Sequence, residues 1–220
     1  MAELISGLNT ESIIAARDAV EAEVEAACQR AGRSRGEVEI LLAAKYVPVT
    51  ESGKLLDAGI TLIGENRAQD LIARAEAFPD RFSFDFIGAL QSRKVKLIVP
   101  YVRLIHSVAS DSVLAQLEKH HTPETKVLIE VNVSGEEGKA GVAPDELDNF
   151  ISRCPVPVLG LMTMPPLSAD PEQSRAPFAI LRKMAQERGL EQLSMGTTQD
   201  FVVAIEEGAT MVRIGNRLLH

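Results

Sequence analysis

One lysine stands where a strand is expected to be buried. Lys45 lies in Leu41-Leu42-Ala43-Ala44-Lys45-Tyr46-Val47, a run with no other charge. A lysine inside an apolar strand is costly unless it is paired or put to use. Desolvation lowers a lysine's pKa, and a neutral amine is the nucleophile for a Schiff base. The plain alternative is a strand-end lysine that snorkels to water or pairs with an acid, and taken alone Lys45 favours it. Two further stretches change the balance. Ser194-Met195-Gly196-Thr197-Thr198 and Arg213-Ile214-Gly215-Asn216 combine hydroxyl residues, glycines and a helix start. Those are the ingredients of an anion site. They are also the ingredients of ordinary capping, with Thr198 as N-cap and the glycines as tight turns, and one set of N–H groups can serve both. A reactive lysine together with a phosphate cradle points to pyridoxal phosphate.

Other chemistries find less support. Gly135-Glu136-Glu137-Gly138-Lys139-Ala140 lacks the spacing of a nucleotide phosphate loop and the hydroxyl after its lysine, so it reads as a solvated turn. His106, His120, His121 and His220 have no metal-ligand spacing, and His120-His121 reads as a helix C-terminus. There is no G-x-S-x-G elbow for a serine hydrolase. Cys28 and Cys154 are far apart and read as two reduced thiols of a cytosolic protein. A net charge of −8, 4% aromatics and no Trp argue against a nucleic-acid partner. No apolar run is long enough to span a membrane, and the Met-Ala-Glu-Leu start is not a secretory signal.

The elements that must position Lys45 and the two anion stretches alternate along the chain. A helix over 10–31 carries an apolar stripe of Ile13, Val20, Val24 and Cys28, with Gly32 at its C-terminal end. Eight short apolar strands follow, at 40–46, 61–64, 85–89, 103–108, 126–133, 158–164, 192–195 and 211–215, with helical stretches between them. Near-continuous apolar strands alternating with helices imply a parallel sheet buried on both faces. Eight such units fit a single (β/α)8 TIM barrel with an extra N-terminal helix, one domain over 1–220 in which residues 1–35 pack on the barrel. An open doubly wound sheet is the alternative, but no G-x-G-x-x-G occurs. A barrel does its chemistry at the C-terminal ends of its strands. The polar residues expected there include Lys45, Glu65 with Asn66, His106, Asn132 with Ser134, Thr163, Ser194 with Thr197 and Thr198, and Arg213.

These residues resemble the pyridoxal phosphate homeostasis proteins, a family similar to the N-terminal barrel of alanine racemase. The matching stretches are Leu42-Ala43-Ala44-Lys45, Gly64-Glu65-Asn66, Phe86-Ile87-Gly88-Ala89-Leu90-Gln91-Ser92, Gly160-Leu161-Met162-Thr163-Met164, Ser194-Met195-Gly196 and Met211-Val212-Arg213-Ile214-Gly215. The resemblance implies that Lys45 holds the cofactor as an internal aldimine and that Arg213 faces the pyridine nitrogen. It implies that Ser194, Gly215 and Asn216 help hold the phosphate, within the loops that also carry Gly196 and Thr197, and that Asn66 and Asn132 line the pocket. The family's Ser or Thr after Arg-Ile-Gly is Asn216 here, and its third-strand His is Asp85.

The function expected is storage or delivery of the cofactor to pyridoxal-phosphate enzymes, by a cytoplasmic monomer without strong catalysis, a metal or catalytic residues. One alternative is an amino-acid racemase, which needs a base on each face of the substrate carbon. The racemase's second base is a Tyr from another domain, and no such domain is expected in these 220 residues. Tyr46 is expected on the strand face opposite Lys45. A second alternative is a barrel enzyme using Lys45 on a phosphorylated metabolite.

Overall fold

The computed structural model describes residues 5–136, 138–166 and 168–220. Its first element, α1 (Thr10–Arg30), forms because Asn9 Oδ1 accepts the Ser12 N–H at 2.9 Å and an apolar stripe from Ile13 to Cys28 is buried. It stops at Gly32, whose φ of +66° only glycine adopts freely, while the Arg33 N–H reaches back to Cys28 O at 2.9 Å.

The strands are β1 (Glu39–Ala43), β2 (Leu62–Glu65), β3 (Ser83–Phe86), β4 (Leu104–Val108), β5 (Val127–Glu130), β6 (Val158–Met162), β7 (Gln192–Thr197) and β8 (Met211–Ile214). They pair in parallel in chain order, and β8 returns to β1, with Ile40 opposite Val212 and Leu41 opposite Arg213. The expected eight-stranded barrel is therefore observed. Between the strands run α2 (Ser52–Asp57), α3 (Ala68–Ala77), α4 (Val95–Ile98), α5 (Asp111–His120), α6 (Leu147–Ser152), α7 (Arg175–Gln186) and α8 (Phe201–Glu206). The chain runs from β8 into a short turn at 216–218, and α1 packs against that turn, α8 and α2. The N-terminal helix thus covers the β8–β1 seam, between α8 and α2.

Alternation along each strand separates two layers. Outward residues such as Val212 and Ile214 pack under the helices, while Leu104, Leu128, Met162 and Met211 form a separate apolar cluster inside the barrel. Gly160 lets β6 and β7 close, since a Cβ there would lie 1.8 Å from Gln192 O. No described helix is long and apolar enough to cross a membrane.

Strand boundaries differ from expectation by one to three residues, as at β3 (83–86 against 85–89) and at the ends of β1 and β5. β1 ends at Ala43 rather than Tyr46, because its pairing with β2 stops at Ala43–Gly64 and a turn follows, with the Val47 N–H on Ala44 O at 2.9 Å. β5 ends at Glu130, after which Val131 forms an isolated bridge to Val142.

Candidate functional site

A cleft of about 610 Å³ opens at the C-terminal ends of the strands. Its walls are Lys45 and Tyr46 after β1, Asn66 after β2, Ile87 after β3, Met164 after β6, Thr197 to Gln199 at the end of β7, and Arg213, Gly215 and Asn216 of β8 and its turn. Six of the nine residues singled out in the sequence meet here: Lys45, Asn66, Thr197, Arg213, Gly215 and Asn216.

Lys45 does not stand as expected. It follows the strand, in the turn, and is exposed at the rim instead of buried. Tyr46 is not on an opposite face either. The Lys45 Nζ lies 4.9 Å from the centroid of the Tyr46 ring, and both line the cleft. Strand alternation fails to apply because neither residue is in the strand.

The turn is anchored from behind by a buried ion pair. Arg74 of α3 donates through Nε to Glu65 Oε1 at 2.8 Å, through Nη2 to Val47 O at 2.8 Å, and through Nη1 to the Ser52 hydroxyl. Arg74 and Glu65 are each 1% exposed. Burial pushes the Glu65 carboxyl above its ordinary value against the pull of Arg74. One guanidinium thereby fixes the loop carrying Lys45, the start of α2, and the strand end that leads to Asn66.

The β7 and β8 loops meet on the other side. The Gly215 N–H donates to Thr198 Oγ1 at 3.2 Å, which leaves the Thr198 hydroxyl proton free to serve a ligand. Thr197 is already engaged, its N–H and hydroxyl both donating to Asp200 Oδ1 at 2.7 and 3.1 Å. Thr198 does not cap the helix, since α8 begins at Phe201 with Asp200 in the cap position, and as a hydroxyl of the expected anion stretch it is better placed than Thr197.

The other three of the nine residues do not line this cleft. Ser194 is fully buried on β7, beneath Arg213, whose Nη1 donates to its oxygen at 2.5 Å, and it does not line the cleft. Gly196, with φ of +88°, lets α8 approach β7, since a Cβ there would sit 2.5 Å from Ala204 Cβ. It faces a small neighbouring depression instead of the cleft. Asn132 uses both ends of its amide in its own loop, Nδ2 on Glu136 O at 2.9 Å and Oδ1 accepting from Ser134 at 3.3 Å.

Inside the barrel a row of polar residues joins Ser194 and Arg213 to Asp85 and His106, two residues with no role expected from the sequence. Asp85, His106, Ser194 and Arg213 are hydrogen-bonded in series. Burial raises the Asp85 carboxyl, but hydrogen bonds from His106 and Arg103 outweigh it and hold it below the usual carboxylate range. Burial lowers His106 despite Asp85. The available signal was one polar residue in each of several apolar strands, as in Phe84-Asp85-Phe86 and Leu104-Ile105-His106. No cluster of three metal-ligating side chains occurs among the described residues.

No protein-family model matches the sequence. The chain is 42% identical over 209 residues to a pyridoxal phosphate homeostasis protein of Aquifex aeolicus, covering 89% of this chain and 92% of that one. A solved structure of an unknown protein from Bifidobacterium adolescentis superposes with TM-score 0.85 at 30% identity, over 99% of this chain and 98% of that one. PipY of Synechococcus elongatus PCC7942, solved with pyridoxal phosphate bound, superposes with TM-score 0.73 at 27% identity, over 90% and 100% of the two chains.

Proposed function

The chain belongs to the family of pyridoxal phosphate homeostasis proteins, and from that premise we propose that it binds pyridoxal 5′-phosphate in this cleft, for storage or delivery of the cofactor. The observation that carries the reading is the meeting of one lysine amine and one arginine guanidinium in a single cleft, at the C-terminal ends of the two strands that close the barrel.

The donor set fits the group. Bound pyridoxal phosphate supplies an aldehyde and an electron-accepting ring. Lys45 Nζ would be the amine that holds the group through that aldehyde. The Thr198 hydroxyl and the first N–H groups of the 216–218 turn, which have no partner within the turn, are donors for a phosphate. Arg213 can only donate. Burial pulls it down to about 10, with Glu130 and Asp200 acting against the shift, so it remains a cation at neutral pH.

A cationic donor toward the ring nitrogen leaves that nitrogen unprotonated and weakens the electron sink. Among the side chains lining the cleft, only Lys45, Tyr46 and Arg213 titrate. Lys45 and Tyr46 leave one turn, whereas racemisation needs a base on each face of the substrate carbon. We therefore read the protein as a binder without strong catalysis rather than a racemase. We read the chain as one binding domain, a cytoplasmic monomer that hands its cofactor to recipient enzymes. Two free cysteines fit a reducing compartment.

The experiment reads one preparation of the purified protein in two ways. Borohydride reduction followed by peptide mass spectrometry should place the label on Lys45, in a protein that is yellow before reduction. Label on Lys54, Lys94 or Lys139 with Lys45 unmodified overturns the site. A colourless protein with no label favours the enzyme acting on a phosphorylated metabolite. The same preparation in heavy water should exchange the α-proton of L-alanine negligibly. Exchange at enzymatic rates that Lys45→Ala abolishes restores the racemase.

A further inference from the structure

Below the cleft, hydrogen bonds cross the barrel interior from β8 to β3. Arg213 donates from Nη1 to Ser194 Oγ at 2.5 Å and from Nη2 to Thr163 O at 3.0 Å. Ser194 Oγ lies 2.9 Å from His106 Nδ1, and His106 Nε2 lies 3.1 Å from Asp85 Oδ2. Both Asp85 oxygens accept from Arg103, at 3.0 and 2.9 Å. Arg103 also pairs with Glu39 at the N-terminal rim of the barrel. Asp85, His106, Ser194 and Arg213 are all buried.

The two ends of this row dictate every proton within it. A guanidinium only donates and a carboxylate only accepts. Asp85 therefore takes a proton from His106 Nε2. The imidazole is neutral, since burial disfavours its charged form. Its Nδ1 is then a bare acceptor and takes the single Ser194 proton. The Ser194 lone pairs are left facing Arg213. No bond in the row can reverse direction, so Arg213 meets an acceptor that cannot rotate away.

Stability does not require such a row. Buried polar networks can often be replaced by apolar side chains of similar shape at little or no loss. What the row does is fix a guanidinium by two anchors, Ser194 Oγ and Thr163 O, with Arg213 facing the cleft from below. We propose that Ser194, His106 and Asp85 are positioning residues that act through Arg213, holding its guanidinium for the pyridine nitrogen of the cofactor. This assignment rests on the pyridoxal phosphate reading and moves Ser194 away from the phosphate.

The test compares pyridoxal phosphate with its 1-deaza analogue, in which a C–H replaces the ring nitrogen. Dissociation constants for both are measured for the full chain and for Ser194→Ala, His106→Leu, His106→Asn and Arg213→Leu. The wild-type protein should prefer pyridoxal phosphate, and Arg213→Leu should lose the preference. Ser194→Ala and His106→Leu should reduce it about ten- to hundredfold, the range for a hydrogen bond to a charged group. In both, affinity for the deaza analogue should fall less. His106→Asn keeps an acceptor toward Ser194 and should retain most of the preference. The absorbance band of bound cofactor should move in the variants that lose it.

An equal fall for the two ligands would mean a phosphate contact or a general structural role, and would overturn the proposal. So would a wild-type protein without preference, or variants that keep it. If His106→Leu does not fold, Ser194→Ala, which removes one oxygen, carries the test alone. Failure of the underlying reading is distinct, because the wild-type protein would then bind neither ligand and Lys45 would not be labelled.

Discussion

A histidine sealed inside the barrel links stability to pH. His106 has its pKa lowered by burial, with Asp85 opposing the shift, so the folded value lies below the unfolded one of about 6.5. For Asp85, burial raises the carboxyl, yet its hydrogen bonds from His106 and Arg103 prevail, and its folded pKa is also depressed. At both residues the unfolded chain binds more protons, so stability rises with pH. The His106 contribution is complete above about pH 6.5 and is lost as pH falls toward the folded value. The Asp85 contribution is lost only below about pH 3.9. One such group changes stability by at most about 1.4 kcal/mol per pH unit. The thermal midpoint should therefore fall between pH 7 and 5, and less steeply in His106→Asn. Equal slopes for the two proteins would place the acid sensitivity elsewhere. At this scale the sequence was legible as isolated polar residues in apolar strands. It did not disclose that His106 meets Ser194, 88 positions away, because barrel closure decides which inward side chains face each other. Lys45 was legible by its apolar surroundings, but its exposure was not, since the same run of residues serves a strand and the turn after it.

Among the elements, the alternation of strands and helices was readable because each strand is a short Val, Ile or Leu run and each helix has its own apolar stripe. The ends were not readable, because pairing decides where a strand stops. Arg74 shows the same limit. In the sequence it is one charged residue on a helix that carries others, while in the fold it lies behind the β1–α2 loop with Glu65, Val47 O and Ser52 as partners. Replacing it leaves the Glu65 carboxyl buried with no ion-pair partner. Loss of one member of a buried pair costs about 3–5 kcal/mol, whereas replacing both by apolar residues can be neutral. Arg74→Leu should lose stability of that order in urea unfolding, and Glu65→Leu with Arg74→Leu should recover most of it. The single variant should also slow labelling of Lys45, since the Val47 anchor is gone. If the single variant is as stable as wild type, the pair is not what holds these elements together.

For the molecule as a whole, the cleft lies across the seam that closes the barrel. Lys45 follows β1, Arg213 belongs to β8, and these two strands pair with Leu41 opposite Arg213. Outside the seam, α1 supplies the covering helix, tied to α8 by Arg30 on Glu206 at 2.8 Å and by the Arg33 guanidinium on Ile205 O at 2.9 Å. A ligand held by Lys45 just after one strand and by Arg213, Gly215 and Asn216 in and after the other must be released before the seam can part. It therefore binds the closed barrel and not the unfolded chain, and mass action converts that difference into stability. At a free ligand concentration 100 times the dissociation constant the gain is about 2.7 kcal/mol. In a domain of this size, each kcal/mol moves the thermal midpoint by about 2–4 °C. Saturating pyridoxal phosphate should thus raise the midpoint by about 5–10 °C, and the rise should continue with the logarithm of ligand concentration. Lys45→Ala should show a much smaller rise under the same conditions, which separates binding at the cleft from reaction of the aldehyde with surface lysines. Equal rises in the two proteins, followed by calorimetry across a range of ligand concentrations, would mean that the stabilising contact lies away from the seam.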